Sequence, residues 1–254
     1  MINLGKFKIL ENNITACDYD HILNKIDQAV TYKKKLLISP IASQTLVLSK
    51  DNIRLKRILD RFDYLVPDSQ WVKWTLDWLY RIKLRDRVYG PDLMLKTCRL
   101  CEEKKWRVYL YGTNISTLIR LKEKLTSLYP RLKIVQTEPS KYRELTINEI
   151  KYIQNDILQT KAQVIFVGIG SPKQEILSEK LAKYNHGLKK IIIPVGAAFD
   201  FISGVKKQAP KWMGDIGFEW CFRLFHEFRR LNSRYLIHGF DYFIQIYIQK
   251  KYFH

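Results

Sequence analysis

Three short stretches carry residue types that can do chemistry. In "LVPDSQWVKW" (65–74), Asp68 stands where an apolar run gives way to a helical pattern. An aspartate there is, on its own, most often a helix N-cap. Strand ends of open α/β sheets are also where ligands bind, and a carboxylate so placed can take a proton from an attacking hydroxyl. The second stretch is "QVIFVGIGSPKQE" (163–175), an apolar strand running into Gly168 and Gly170 and then into a helix. A dinucleotide fingerprint requires a third glycine where Lys173 stands, so that reading fails. Pro172 suits the first helical turn, Ser171 the N-cap and Gln174 the third helical position, which predicts a capping box between Ser171 and Gln174. Free N–H groups at that helix start, with Lys173, can face an anion. The third stretch is "PVGAAFDFISG" (194–204), where Gly196 and two alanines allow close approach of a ligand or of backbone. Asp200 within it reads, by itself, as a cap or turn residue.

Other constellations carry less. Asp18 and Asp20 form a D-x-D of the kind that holds a metal on a nucleotide diphosphate. They precede the first core strand and are expected to open a helix, where helix-dipole complementarity explains them. Cys98 and Cys101 form a C-x-x-C with no second pair for zinc, so they read as half-buried thiols. The five histidines show no paired spacing, and no protein-bound metal is expected.

The elements that must position these stretches can be read from the apolar pattern. Runs at 35–40, 64–68, 107–112, 132–137, 163–170 and 190–196 read as strands, mostly rich in Val, Ile and Leu with little alternation. Such strands are covered on both faces. Helical patterns lie at 18–32, 43–62, 69–82, 92–105, 114–129, 147–160 and 172–184, with a capping box at Thr146–Glu149. Alternating strands and helices predict an α/β fold with a mostly parallel, Rossmann-like sheet flanked by helices. After about residue 200 the chain becomes dense in aromatics and arginines with no clear strand. The expected division is therefore an α/β domain over 1–204 and a basic, aromatic, helical C-terminal appendage over 205–254. Leu236, Ile237, Phe240, Phe243, Ile244, Tyr247 and Ile248 make one helical face, which suits either the core or an anionic membrane surface.

Composition bounds the rest. The chain has 254 residues, is 46% hydrophobic and carries a net charge of +19, so it is globular and matched to an anionic partner. The N-terminus lacks the apolar core of a signal peptide, and no run approaches the length of a membrane span.

Taken together, "VPDSQWV", "DRVYGPDLM", "VYLYG", "VIFVGIGSPKQE", "IPVGAAFDFISGVKKQAPKW" and "GFEWCFRLFHEFRRLNSRY" resemble the WecG/TagA/CpsF glycosyltransferase family, from about Leu4 to Tyr235. The resemblance implies an inverting transferase that needs no bound metal and no resident cofactor. It would move a sugar from a UDP-sugar donor to a polyprenyl-diphosphate-linked sugar acceptor at the cytoplasmic face of a bacterial membrane. The products would feed teichoic acid, capsule, exopolysaccharide or common antigen. Asp68 matches the family's proposed base, and Arg87 with Gly90 matches its R-x-x-G pattern. Gly168, Gly170, Pro172, Lys173, Glu175, Gly196 and Asp200 match its donor loops, with Gln174 counted among the catalytic residues. Arg223, Arg229, Arg230 and Arg234 fall in a block implied to complete the site near the membrane. Without a metal, such arginines and helix N-termini would stabilise the leaving diphosphate.

Three positions depart from the family pattern. A strand-end T-x-N reads Ser39-Pro40-Ile41, which keeps a hydroxyl, so that the resemblance implies Ser39 as a substrate-binding residue, but loses the amide; Ser69 replaces a glycine; and Phe228 replaces a proline. The first departure leaves the donor open among N-acetylmannosamine, its acid and glucose. Self-association is also left open by the family. Two other readings compete: a basic nucleic-acid-binding protein, and a degenerate member that only binds nucleotide sugar. The scattered lysines and the lack of a recognition module weigh against nucleic acid as the partner.

Overall fold

A computed structural model describes the backbone of residues 1–183, 189–226 and 228–252, and side chains there except at 223, 225, 226 and 228–238. Six parallel strands form the central sheet: β3 (Leu36–Ile41), β4 (Tyr64–Pro67), β5 (Arg107–Gly112), β6 (Lys133–Glu138), β7 (Val164–Gly168) and β8 (Ile191–Pro194). Their spatial order is β4-β3-β8-β7-β5-β6. Successive side chains along a strand point to opposite faces. Ile165 and Ile192 therefore join one buried cluster, while Phe166 and Ile193 join the other. All are fully buried, and each contributes roughly 1.5–3 kcal/mol relative to exposure. The continuous apolar character of these strands thus reflects helices on both faces.

The helices are α1 (Tyr19–Thr31), α2 (Ser43–Asp51), α3 (Ile53–Leu59), α4 (Gln70–Tyr80), α5 (Gly90–Glu103), α6 (Ile115–Leu128), α7 (Ile147–Gln159), α8 (Lys173–Lys183) and α9 (Ala198–Ile202). The pattern over 43–62 predicts one helix, but the chain breaks at Asn52, whose side chain caps α3 by accepting from the Leu55 N–H. The capping box at Thr146 and Glu149 is present. Asp18 caps α1 and also accepts from the Ile2 N–H, so the D-x-D opens a helix as expected.

The strand reading misses an N-terminal antiparallel hairpin, β1 (Asn3–Ile9) and β2 (Asn12–Cys17). Its turn places Leu10 at φ 51°, a conformation unusual outside glycine, and no Gly, Asn-Gly or Asp-Gly marks it. After α9 the chain forms α10 (Lys211–Asp215), α11 (Glu219–His226) and the long α12 (Phe228–Lys251). The hairpin is clamped to α12 by Gln249, whose amide oxygen accepts from the Leu10 N–H and whose nitrogen donates to the Lys8 carbonyl.

Helix α12 buries Gly239, Tyr242 and Ile246. The Tyr242 hydroxyl pairs with Thr75 Oγ1 at 2.8 Å. Within the apolar stripe noted above, Phe240, Phe243, Ile244, Tyr247 and Ile248 are exposed, while the side chains of Leu236 and Ile237 lie outside the described residues. The stripe therefore turns away from the core. Among the described residues no helix is long and apolar enough to cross a membrane.

Candidate functional site

The carboxyl ends of the strands converge on one cavity of about 570 Å³, lined by residues that follow β3, β4, β5, β7 and β8. That size suits a nucleotide-sugar ligand, and the position is where open α/β sheets bind ligands.

Asp68 sits at the end of β4. Its Oδ1 accepts the Gly90 N–H at 2.7 Å. A Cβ at Gly90 would lie 3.3 Å from the Val195 carbonyl and 3.4 Å from that oxygen, so glycine eases the close approach of α5 to both. The cap of α4 is supplied by Ser69, whose Oγ accepts from the Val72 N–H at 3.4 Å. With Ser69 as the cap, Asp68 lines the cavity instead. It also lines a smaller cleft beside α11.

Arg87 opens onto that smaller cleft and not onto the large cavity. Its Nη2 donates to Glu219 at 2.6 Å, and its guanidinium lies 4.3 Å from the centre of the Tyr89 ring. The Tyr89 hydroxyl donates to the other Glu219 oxygen at 2.9 Å. Burial works against the charged guanidinium, but the Glu219 and Asp68 carboxylates outweigh it and raise its pKa. One acidic side chain of α11 thereby ties the appendage to the segment that carries Arg87.

The loop after β7 is built around a buried carboxylate. Glu175 is fully buried and accepts hydrogen bonds from Ser39 Oγ (3.3 Å), Ser171 Oγ (2.6 Å) and Gln174 Nε2 (3.0 Å). Burial raises its pKa, against the pull of those three donors. Gln174 Oε1 in turn accepts the Gly196 N–H at 2.8 Å. The expected capping box is therefore replaced: the Gln174 amide bridges the loops after β7 and β8 and does not fold back on its own helix. The longer-range bond wins because the neighbouring strand end presents an otherwise orphaned N–H within reach. Helix α8 begins at Lys173, and the Gln174 N–H returns to the Gly170 carbonyl.

Gly168 has a packing role. A Cβ there would fall 2.6 Å from the Phe199 ring, so its absence lets α9 close on the strand end. Gly170, at φ 81°, has open space where a side chain would be.

Among the described residues, four cations line the large cavity. Arg143 pairs with Glu149, Lys180 with Glu144 at 3.6 Å, and Lys206 with Asp200 at 2.8 Å. Lys173 is exposed and makes no ion pair among the described residues. It stands at the N-terminus of α8, where the helix dipole already favours an anion.

A model of the glycosyl transferase WecG/TagA/CpsF family matches residues 7–253. The chain belongs to this family. Its curated relatives include two bacterial proteins named N-acetylglucosaminyldiphosphoundecaprenol N-acetyl-beta-D-mannosaminyltransferase. The one from Bacillus subtilis (strain 168) is 28% identical over 168 residues, covering 66% of this chain and 62% of the relative. The one from Bacillus spizizenii is 26% identical over 174 residues, covering 68% of this chain and 64% of the relative. The matched region thus spans somewhat under two thirds of either relative's length.

In this family member, eight of the sequence-predicted site residues line the large cavity: Asp68, Gly90, Gly168, Gly170, Lys173, Gln174, Gly196 and Asp200. Ser39, Pro172 and Glu175 do not. Ser39 is fully buried and spends its hydroxyl on Glu175, so it shapes the loop from beneath. Ile41, in place of the family amide, is fully buried in the core. Arg223 falls in α11 and Arg229, Arg230 and Arg234 in α12, but these four side chains lie outside the described residues. Among the described residues, no three His, Cys, Asp or Glu cluster as metal ligands. Sequence reasoning misses Glu219, Tyr89, Thr113 and Lys206 as parts of the two cavities. Glu219 is the first residue of the E-W-x-x-R-L block, so the motif was visible while its partner was not.

Proposed function

We propose that this chain transfers a sugar from a UDP-sugar to a polyprenyl-diphosphate-linked acceptor, by inverting displacement and with no resident metal or cofactor. The observation that carries the proposal is the pairing of Asp68 with the glycine loop. A carboxylate held by the Gly90 N–H faces the same cavity as the start of α8 and Lys173, which has no ion pair among the described residues. The acceptor hydroxyl attacks the anomeric carbon and its proton passes to Asp68. The new glycosidic bond forms as the bond from the anomeric carbon to the diphosphate oxygen breaks, and that electron pair leaves with UDP. Lys173 and the N-terminal end of α8 would stabilise the negative charge growing on the diphosphate. Arg87 adds a second positive charge beside Asp68.

The relatives' names supply the substrate pair to test first: UDP-N-acetylmannosamine as donor and N-acetylglucosamine on a lipid diphosphate as acceptor. The assay compares that donor with UDP-N-acetylglucosamine and UDP-glucose, with and without EDTA. Transfer from a UDP-N-acetylhexosamine, undiminished by EDTA and with inverted anomeric configuration, supports the proposal. Absence of transfer from every UDP-sugar, in a folded protein, removes it.

A lipid-linked acceptor implies work at the inner face of the cytoplasmic membrane, with the 205–254 appendage against the bilayer. The exposed Phe240, Phe243, Ile244, Tyr247 and Ile248, flanked by exposed Trp74 and Trp78 and by Lys250 and Lys251, support this placement. Wild-type protein is expected to float with vesicles containing anionic lipid. Ile244→Glu combined with Tyr247→Glu is expected to lose flotation without loss of fold, because both side chains are already exposed. Equal flotation of the variant would place the attachment elsewhere.

A further inference from the structure

We propose that the small cleft on the far side of Asp68 is the seat of the acceptor's terminal sugar ring, with Trp220 as its stacking platform. This inference rests on the transferase reading above. It assigns an acceptor subsite to α4, α11 and the loop after β3.

The geometry separates two volumes that share one carboxylate. Asp68 lines both the large cavity and the cleft, whereas Lys173 and the glycine loop line only the former. A base that removes a proton from one substrate while the bond to another breaks must touch both. The cavity of about 570 Å³ has room for the nucleotide sugar, and the cleft, at about 80 Å³, can receive only part of a ligand.

The lining of the cleft has the chemistry of a sugar site. Trp71 and Trp220 flank it, with ring centres 6.0 Å apart and planes inclined by 61°. The C–H groups on one face of a pyranose carry slight positive charge and fit the negative face of an indole. Polar groups stand ready at the edges. Gln70, 8% exposed, and Gln44 both line the cleft, and neither amide has a hydrogen-bond partner among the described residues. Neither amide is sealed from solvent, and Gln44 lines the large cavity as well, so both are open to bond the hydroxyl or acetamido groups of a ligand that spans the seam. Glu219, by contrast, is already committed to Arg87 and Tyr89.

The appendage supplies one wall of this cleft and the α/β portion the other, so the ring would bind at their seam. That differs from a site for the donor, whose loops all follow sheet strands.

The test uses the full chain, UDP-N-acetylhexosamine donor and a short-chain lipid-diphosphate N-acetylglucosamine acceptor. Trp220→Ala and Gln70→Ala are each expected to raise the acceptor KM, the former by about tenfold, while UDP affinity by calorimetry stays within about twofold of wild type. Trp220→Phe, which keeps an aromatic face, is expected to recover most of the loss. An unchanged acceptor KM in Trp220→Ala overturns the proposal. So does a parallel loss of UDP affinity, or a Trp220→Phe variant as impaired as Trp220→Ala, since either makes the tryptophan a structural prop. A wild-type chain that binds UDP but transfers to no acceptor sinks the transferase reading itself and this inference with it; failure of the inference alone leaves wild-type transfer intact.

Discussion

Replacing Asp68 by asparagine is expected to lower the turnover of sugar transfer by about 10²–10⁴-fold, the usual worth of general-base help. The fold and UDP binding should persist. Asparagine has the same shape and keeps an oxygen for the Gly90 N–H, so the 2.7 Å contact that positions the side chain survives. What is lost is the capacity to accept a proton. Ser69 caps α4 independently, so the helix start is not disturbed. Steady-state kinetics with saturating donor and acceptor, read beside UDP calorimetry, check this. Turnover within about threefold of wild type would falsify the assignment of Asp68 as the base.

Arg87→Ala is expected to act on stability and on rate together. Arg87 and Glu219 form an ion pair whose side chains are only 16% and 14% exposed. Removing one partner of a buried pair leaves the other charge uncompensated, at a cost of about 3–5 kcal/mol. Part of that loss should return in the double variant Arg87→Ala with Glu219→Ala, because the stranded carboxylate is gone too. Urea denaturation of the four proteins in the cycle measures this. Catalysis should not return with stability. The double variant still lacks a positive charge beside Asp68 and is expected to remain about 10²-fold below wild type or lower. A double variant that recovers activity as it recovers stability would reduce Arg87 to a strut between α5 and α11.

The sheet strands were legible because buried parallel strands have a composition of their own. The runs ending at Pro40, Asp68, Gly112, Thr137, Gly170 and Gly196 each fall on a strand of the central sheet, with β3 and β6 extending one residue further. The hairpin at 3–17 was not legible. Its turn has Leu10 and Glu11 where a glycine or asparagine would signal it, and it is held by Gln249, more than 230 residues away. A local pattern carries no trace of such a partner.

The site was legible in part, for the same reason. Asp68, the Gly168–Glu175 loop and Gly196–Asp200 are each local motifs at strand ends, and a parallel sheet brings its carboxyl ends to one rim. The hydroxyl of Ser39 and the carboxylate of Glu175 suit binding residues by type, but both are buried beneath the loop they shape. Burial depends on what the fold stacks above a residue, and residue type alone does not report it. Gln174 shows the same limit. Its spacing from Ser171 fits a capping box, yet its amide spans to Gly196 because β8 lies directly beside β7.

The class of fold, the family and the strand-end loops that meet at the cavity are all written in the sequence. Each of these follows from short-range pattern: periodicity, turn residues and motif spacing. Packing in the assembled fold turns Tyr242 and Ile246 of α12 inward and its aromatic stripe outward. It alone paired Arg87 with Glu219 across 132 residues and set Trp220 opposite Trp71 at the edge of Asp68. A helix presents more than one face that could be buried, and an ion pair needs only the right types within reach. Which face and which partner prevail is settled by packing against elements distant in the chain, and that information is held by the assembled fold.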